Sequence, residues 1–173
     1  MIFTFVIMAV LVQTSFGQIW TLRSGVLTVV SEATLNTVKG STQKFDCLLN
    51  TKNKTVNFSC DATTLDFGNP MIKENFSTQL LNTKKFPTIT FIGSIVKLNE
   101  GKKTISLKGV MEMNGQKKNV EVTSVWIKNQ KEVKLDLIYE FMLSDFKIDV
   151  PNLLMDTISE KVSVSINAIL IQK

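Results

Sequence analysis

Apolar and polar residues alternate along most of the chain after Trp20, and this period of two is typical of β-strands. Polar or glycine-containing segments, among them Gly40-Ser41, separate the alternating stretches as turns. The predicted strands are Gly25–Val30, Ala33–Lys39, Thr42–Leu49, Thr55–Phe67, Thr88–Leu98, Lys103–Met113, Lys117–Lys128, Lys131–Ile148 and Lys161–Ile171. About eight or nine strands with short connections predict one all-β domain, either an up-and-down barrel or a sandwich.

One stretch in the middle of the chain breaks the alternation. Asn69 offers a side-chain oxygen to the free N–H groups of a first helical turn, and Pro70 suits the first helical position. Pro87 cannot continue a helix, so the helical pattern must end before it. The apolar residues between these limits recur four apart and share one helix face: Ile72, Phe76 and Leu80. We therefore expect a short amphipathic helix that lies as a lid on the sheet.

A closed barrel requires the apolar side chains of successive strands to face the same side of the sheet, and the sequence can test this. A two-residue turn at Asn114-Gly115 would join two strands whose apolar residues then face the same side. A second two-residue turn, at Asn129-Gln130, would place Trp126 opposite Val133. With these registers three consecutive strands keep one apolar side, as a closed sheet with an apolar interior requires. A packed sandwich core without a cavity satisfies the same parity, so both architectures stay open.

The two cysteines flank a polar segment that can form a turn. A two-residue turn at Asn53-Lys54 would make Cys47 and Cys60 direct cross-strand partners at a non-hydrogen-bonded pair, where side chains approach most closely. In an exported protein that pairing favours a disulfide. A longer loop would shift the register and leave two separate, small buried residues. Two cysteines in a chain with 0 histidines do not supply the usual zinc ligands, so we expect no metal site.

The first 17 residues differ from the rest of the chain. They carry no charge, Ile2–Val12 is almost entirely apolar, and small residues stand at Ser15 and Gly17. This composition predicts a secretory signal peptide over residues 1–17, followed by a β-barrel domain over residues 18–173. The protein would then be periplasmic or secreted. The alternative is a buried N-terminal strand.

The net charge is +5, and the 20 basic residues include a single arginine, Arg23. Lysines gather at predicted turns such as Lys84-Lys85 and Lys117-Lys118, either as solvated hairpin tips or as a basic rim that contacts a membrane surface. The export signal and the near absence of arginine argue against nucleic-acid binding. Without histidine there is no imidazole for a catalytic triad, and there is no glycine-rich phosphate loop. We expect neither an enzyme nor a cofactor.

Five short motifs follow one another along the chain: Lys85-Phe86-Pro87, Phe91, Leu107-Lys108-Gly109, Gly115-Gln116-Lys117-Lys118 and Ser144-Asp145-Phe146. In this order and spacing they resemble the YceI-like family of bacterial lipid- and polyisoprenoid-binding proteins, over roughly Val26 to the C-terminus. The family often has an Arg-x-Asp-Phe-Gly pattern, whose places are taken here by Leu143, Asp145, Phe146 and Lys147. Asn75 stands where the helix of the family commonly has a histidine.

The resemblance implies a lipocalin-like antiparallel barrel of about eight strands around an apolar tunnel, partly closed by the helical segment. It also implies binding of an isoprenoid or other long-chain lipid, which makes the protein an exported binder or carrier. The alternative is a non-enzymatic structural or interaction protein of the cell envelope with a filled barrel core. If the barrel holds a lipid tail, the shared inner face supplies its wall and the helix caps one end. The predicted ligand-binding residues are Ile72, Phe76, Leu80, Ile89, Phe91, Ile105, Leu107, Met111, Val122, Trp126, Leu135, Leu137, Tyr139 and Phe141.

Overall fold

The computed structural model describes residues 19–173, so the predicted signal peptide lies outside the described residues. The strands are β1 Ile19–Glu32, β2 Thr37–Thr42, β3 Phe45–Asn50, β4 Thr55–Asp61, β5 Thr88–Asn99, β6 Thr104–Met113, β7 Gln116–Lys128, β8 Glu132–Met142 and β9 Lys161–Gln172. Between β4 and β5 lie the helix α1, Pro70–Asn75, and a π-helical turn, Phe76–Leu80. Among residues 19–173, no helix has the length and hydropathy needed to cross a bilayer.

The strands form one closed antiparallel barrel. Each strand from β3 to β8 pairs with the next along the chain, and β1 pairs with β9 to close the sheet. The short strands β2 and β3 both pair with β1, one along each half, and together they make up one of the eight barrel strands. This architecture confirms the predicted all-β antiparallel barrel with a short helical lid.

Because successive hairpins alternate between the two ends of a barrel, each end has its own set of connections. The closed end carries the connections 51–54, 100–103 and 129–131 together with the start of β1 and the end of β9. The open end carries the connections 33–36, 62–87, 114–115 and 143–160. At the closed end the interior is filled by side chains that are at most 2% exposed: Trp20, Ile105, Trp126, Val133 and Leu170.

Several predicted segment boundaries are wrong. The strand predicted at Thr55–Phe67 ends at Asp61, before a 3₁₀ turn at residues 62–64. Gly40-Ser41 is not a turn but lies within β2, and the chain reverses earlier, where Ala33 N–H donates to the carbonyl of Asn36 over 2.9 Å. Glycine suits this strand position because a Cβ at Gly40 would lie 2.5 Å from the ring of Phe67, which packs over it. The strand predicted at Lys131–Ile148 ends at Met142, after which residues 143–146 form a 3₁₀ turn.

The β6–β7 register is confirmed: Asn114-Gly115 is the turn, and Leu107 lies opposite Val122. The predicted β7–β8 register is wrong by two residues, since Trp126 pairs with Leu135 rather than with Val133. The cause is a four-residue turn in which the Oδ1 of Asn129 accepts from the N–H groups of Lys131 and Glu132, at 2.9 and 2.7 Å. A shift of two residues keeps every side chain on its predicted face.

The β3–β4 hairpin shows the same departure from a two-residue turn. The Oδ1 of Asn50 accepts from the N–H groups of Lys52 and Asn53, at 3.0 and 2.9 Å, and the loop spans residues 51–54. Cys47 consequently lies opposite Phe58, and Cys60 lies opposite Phe45. The direct pairing from which the disulfide was predicted is therefore wrong, and both residues are free cysteines in the structure.

Candidate functional site

An apolar cavity extends into the barrel from the open end. The volume of this cavity is about 170 Å³. Its wall is formed by the inner faces of the strands, by the lid helix and by part of the 143–160 connection. Among the described residues, no charged side chain lines the cavity, and the lining residues that carry hydroxyl groups are Ser31, Thr90 and Tyr139. Such a wall favours a flexible apolar guest, which needs no directional contacts.

The structure places twelve of the fourteen predicted ligand-binding residues on this wall: Ile72, Phe76, Leu80, Ile89, Phe91, Leu107, Met111, Val122, Leu135, Leu137, Tyr139 and Phe141. Ile105 and Trp126 do not line it. They face inward as predicted but lie deeper, where the ring of Trp126 packs edge-to-face on Trp20 at 6.2 Å between centroids. The interior is filled at that level, so these two residues belong to the packed core of the closed end.

Several wall residues were missing from the predicted set. Leu27, Phe58 and Val164 come from strands whose inward parity could have identified them. Ile148 and Ile158 come from the irregular 143–160 connection, where no periodicity indicates which side chains turn inward. The latter pair also lines a neighbouring groove of about 550 Å³, whose other lining residues include Glu32, Asp149 and Glu160. The surroundings of the opening are thus partly acidic.

The lid is held by the contacts that its sequence predicts. The Oδ1 of Asn69 accepts from the N–H of Met71 at 2.9 Å, which confirms it as the residue that caps α1. The ring of Phe76 packs against the ring of Phe67 at 4.8 Å between centroids. Ile72, Phe76 and Leu80 all reach the cavity wall. The helix therefore covers the opening with the apolar face that was predicted to cover it.

Three of the recognised motifs meet beside the opening. The ring of Phe86 lies over Gly115, so closely that a Cβ on this glycine would be 2.7 Å from the ring. The Nζ of Lys118 donates to Asp145 at 2.9 Å, and the Nδ2 of Asn114 donates to the carbonyl of Phe146 at 3.4 Å. The sequence order of the motifs thus reflects one contact cluster that joins the lid, the β6–β7 hairpin and the 143–160 connection.

This cluster closes the side of the barrel where two strands separate. The strands β7 and β8 pair only between residues 125–128 and 133–136. Next to the unpaired part, the fully buried ring of Phe146 packs edge-to-face on Phe141 at 5.4 Å between centroids. The hydrogen bond from Lys118 and that from the backbone N–H of Met142 hold the pKa of the Asp145 carboxyl below its usual value. The carboxylate that anchors this segment is therefore charged at neutral pH.

The titratable groups on the cavity wall are uncharged at neutral pH. Burial, and to a lesser degree the charge of Asp46, raises the pKa of the Cys47 thiol to about 12. Burial and the charge of Asp61 raise the pKa of Cys60 to about 11. The pKa of Tyr139 is also raised, first by burial and then by Asp145. The wall thus includes two neutral thiols and a neutral phenol, and none of its described residues is charged.

Comparison with known proteins relates this architecture to one family. Residues 18–170 match the family model of the YceI-like domain. A polyisoprenoid binding domain from Saccharophagus degradans, described as implicated in plant cell wall breakdown, superposes with a TM-score of 0.76 at 11% identity. That alignment covers 89% of this chain and 98% of the Saccharophagus domain.

Two further solved structures have the same fold. BcnA of Burkholderia cenocepacia gives a TM-score of 0.73 at 16% identity, covering 84% of this chain and 95% of its own. The YCEI protein of Campylobacter jejuni gives 0.66 at 16% identity, covering 79% and 85%. No protein of curated function shows significant similarity to the chain.

Proposed function

Because the chain belongs to the YceI-like domain family, we propose that it binds the apolar tail of a long-chain lipid of the isoprenoid type and catalyses no reaction. The observation that carries the proposal is the uncharged apolar cavity, which opens at one end of a closed barrel. Each methylene group that moves from water into such a cavity contributes about 0.8 kcal/mol. A long tail can therefore bind tightly without any polar contact.

The head group of the lipid would stay at the open end and is neutral in this proposal. Among the described residues, no lysine or arginine of the cavity wall can pair with a phosphate, and the groove beside the opening carries Glu32, Asp149 and Glu160. An anionic head group would meet these carboxylates without a cationic partner, which is unfavourable. A prenyl alcohol or a quinone avoids this repulsion and can accept a hydrogen bond from Tyr139.

Export is the second part of the proposal. The uncharged apolar segment at residues 2–12 and the small residues that follow it support cleavage after Gly17 and a carrier role outside the cytoplasm. N-terminal sequencing of the exported protein should give Gln18 as the first residue. An intact Met1 in the exported protein would overturn this part and leave the lipid-binding part untouched.

Two neighbouring residues of β8 provide the test of lipid binding. Leu137 lines the cavity, whereas Ile138 points outward and is 70% exposed. Leu137→Trp should fill the cavity and abolish binding of a fluorescent prenyl lipid, with the fold retained at a packing cost of about 1–3 kcal/mol. Ile138→Trp adds the same ring outside the barrel and should leave binding unchanged.

Native mass spectrometry of the purified protein gives an independent readout, since a co-purified lipid should be present in the wild type and absent from Leu137→Trp. If the wild type neither carries nor takes up lipid, and Leu137→Trp is strongly destabilised, the interior is a packed core. The protein would then be a structural or interaction protein of the cell envelope.

A further inference from the structure

The charged residues are distributed unequally between the two ends of the barrel. The segments of the closed end, residues 19–23, 51–54, 97–103, 128–136 and 173, hold ten basic and three acidic side chains. The segments of the open end, residues 32–39, 61–88, 112–118 and 140–161, hold eight basic and ten acidic side chains. The whole positive net charge of the protein therefore resides at the closed end.

Most of the basic side chains at the closed end have no acidic partner. Arg23 pairs with Glu132, and the Nζ of Lys134 lies 2.9 Å from Asp136. Among the described residues, no acidic side chain lies within ion-pair distance of the remaining lysines of this end, all of which are exposed: Lys52, Lys54, Lys97, Lys102, Lys103, Lys128, Lys131 and Lys173. At the open end, three of the eight basic side chains, those of Lys117, Lys118 and Lys161, are each paired with a carboxylate.

We propose that the closed end is a docking surface for the anionic head groups of a membrane. Three hairpin loops lie at this end, and each of them carries at least one exposed lysine that a diffuse anionic surface can attract. Lysine is a compact point charge that suits diffuse attraction, whereas nucleic-acid recognition favours arginine and stacking aromatic rings. The only arginine, Arg23, is already paired, and the tryptophans of this end are buried.

The choice of a membrane as the source of negative charge rests on the proposed function, because a protein with a lipid cargo works beside a bilayer. Docking by the closed end has a geometric consequence. The cavity opens at the opposite end of the barrel, so the docked protein presents its opening away from the membrane surface. This orientation suits transfer of the lipid to or from a partner molecule, rather than direct withdrawal from the bilayer on which the protein rests.

Two triple variants of equal charge change test the proposal. Lys52, Lys102 and Lys131, one from each closed-end hairpin, are replaced with glutamate in the first variant. Lys39, Lys73 and Lys84, all exposed and unpaired at the open end, are replaced with glutamate in the control. Binding to phosphatidylglycerol vesicles and to phosphatidylcholine vesicles is measured by sedimentation over a range of salt concentrations.

The wild type should bind phosphatidylglycerol vesicles and should dissociate from them as the salt concentration rises. It should not bind phosphatidylcholine vesicles. A lysine near an anionic surface strengthens binding about fivefold, so the loss of three lysines alone weakens binding about a hundredfold. The closed-end glutamate variant also adds three repelling charges, so it should bind more weakly than that. The control should change by less than about threefold, because charges at the far end lie beyond the screening length of about 10 Å at 0.1 M salt. A triple glutamine variant at the closed-end positions should fall between wild type and the glutamate variant.

Equal weakening of the two glutamate variants would overturn the proposal, as would a wild type that ignores phosphatidylglycerol at low salt. Tighter binding to a single-stranded oligonucleotide than to vesicles would also overturn it, since the surface would then serve a nucleic acid. Leu137→Trp separates this proposal from the proposed function. The Leu137→Trp variant should no longer bind a lipid tail in the cavity, but it should bind phosphatidylglycerol vesicles as the wild type does.

Discussion

The two ends of the barrel are built from the same eight strands and follow the same inward parity, yet one is filled and the other is hollow. At the closed end, the rings of Trp20 and Trp126 pack edge-to-face, and the inward-facing Ile105 of β6 is fully buried. Near the open end the inner face carries residues such as Leu137 and Tyr139, which are only partly buried and line a cavity. Parity decides which side chains face inward, whereas side-chain volume decides whether the interior is filled.

A second difference between the ends is the completeness of the hydrogen-bonded sheet. At the closed end β7 and β8 are paired, but toward the open end their pairing stops after Val125 and Asp136. The 143–160 connection takes over there, and Phe146 fills the space beside Phe141. One side of the open end is therefore closed by a connection, whereas the closed end is held by the hydrogen-bonded sheet and the packed core together.

The largest expected effect compares a matched pair of alanine variants. Ile105 lies in the filled end, and Leu137 lies on the cavity wall. Ile105→Ala should lower the free energy of unfolding by about 4–5 kcal/mol, near the upper end for such substitutions, because packed neighbours cannot follow the deleted atoms. Leu137→Ala should cost about 2 kcal/mol, because fewer packed contacts are lost beside an existing cavity.

Urea denaturation of the lipid-free protein measures both free energies. Bound lipid must be removed first, because a ligand that binds only the folded state raises the apparent stability. Equal losses from the two variants would show that the interior is packed to the same degree at both levels, and the distinction between the ends would fail.

The cysteines on the cavity wall make stability depend on alkaline pH. In the unfolded chain their thiols ionise near the ordinary pKa of 9.0, whereas in the folded protein the pKa of Cys60 is about 11 and that of Cys47 about 12. Between these values the unfolded state has lost protons that the folded state retains. The free energy of unfolding should therefore fall as pH rises from about 9 to about 12.

The control is the double variant Cys47→Ala with Cys60→Ala, which should show a smaller fall, because the two buried thiols are removed. Thiol labelling complements it: two free thiols should be found in denaturant without reductant, and labelling of the native protein should slow further when lipid is bound. Absence of free thiols in the denatured protein would show a disulfide and would contradict the observed register of β3 and β4.

A smaller effect is expected from the phenol at the open end. Tyr139→Phe removes the one phenolic donor on the wall and should weaken binding of a prenyl alcohol or quinone by about 3- to 10-fold, the value of one hydrogen bond. Binding of a hydrocarbon of equal length without a head group should not change. Equal losses for both ligands in a fluorescence displacement assay would indicate that the ring, rather than the hydroxyl, contributes the affinity.

The closed-end turns show why the inner face could be predicted while its register could not. Asn50, Asn99 and Asn129 each begin a hairpin loop at this end, and each accepts backbone N–H groups through its side chain. This bonding stabilises four-residue turns, a signal that the sequence carries in the asparagine itself. Two-residue turns were assumed instead at two of the three sites. Because the register error was an even number of residues, the predicted inward face of each strand was correct. The predicted partner of Cys47 was wrong, since this residue lies opposite Phe58.

The depth of the cavity could not be predicted for a different reason. Nothing in the alternation distinguishes Ile105 from Leu107, which occupy successive inward positions of β6, yet only Leu107 reaches the cavity. The difference arises from Trp20 and Trp126, which meet across the barrel although they are far apart in the sequence. Such a long-range contact has no local signal, and the same holds for the inward turn of Ile148 and Ile158.

The smallest expected effect concerns the backbone of the 143–160 connection. Lys147 has a φ of 52°, a left-handed conformation that costs a non-glycine residue about 1–2 kcal/mol. It occupies the place of the glycine in the Arg-x-Asp-Phe-Gly pattern, directly after Asp145 and Phe146, which anchor the segment. Lys147→Gly should raise the free energy of unfolding by about 0.5–1 kcal/mol, because the greater flexibility of glycine in the unfolded chain offsets part of the relief.

Lys39→Gly is the matched control for this prediction, since Lys39 lies in β2 and is absent from the residues with positive φ. The same substitution there removes a side chain from an ordinary strand position and should destabilise the protein by about 0.5–1 kcal/mol. The two variants should therefore shift the urea midpoint in opposite directions. A loss of stability in both variants would mean that the side chain of Lys147 stabilises the folded protein by more than its left-handed backbone conformation destabilises it. The segment that closes the open end would then be held by that side chain as well as by Asp145 and Phe146.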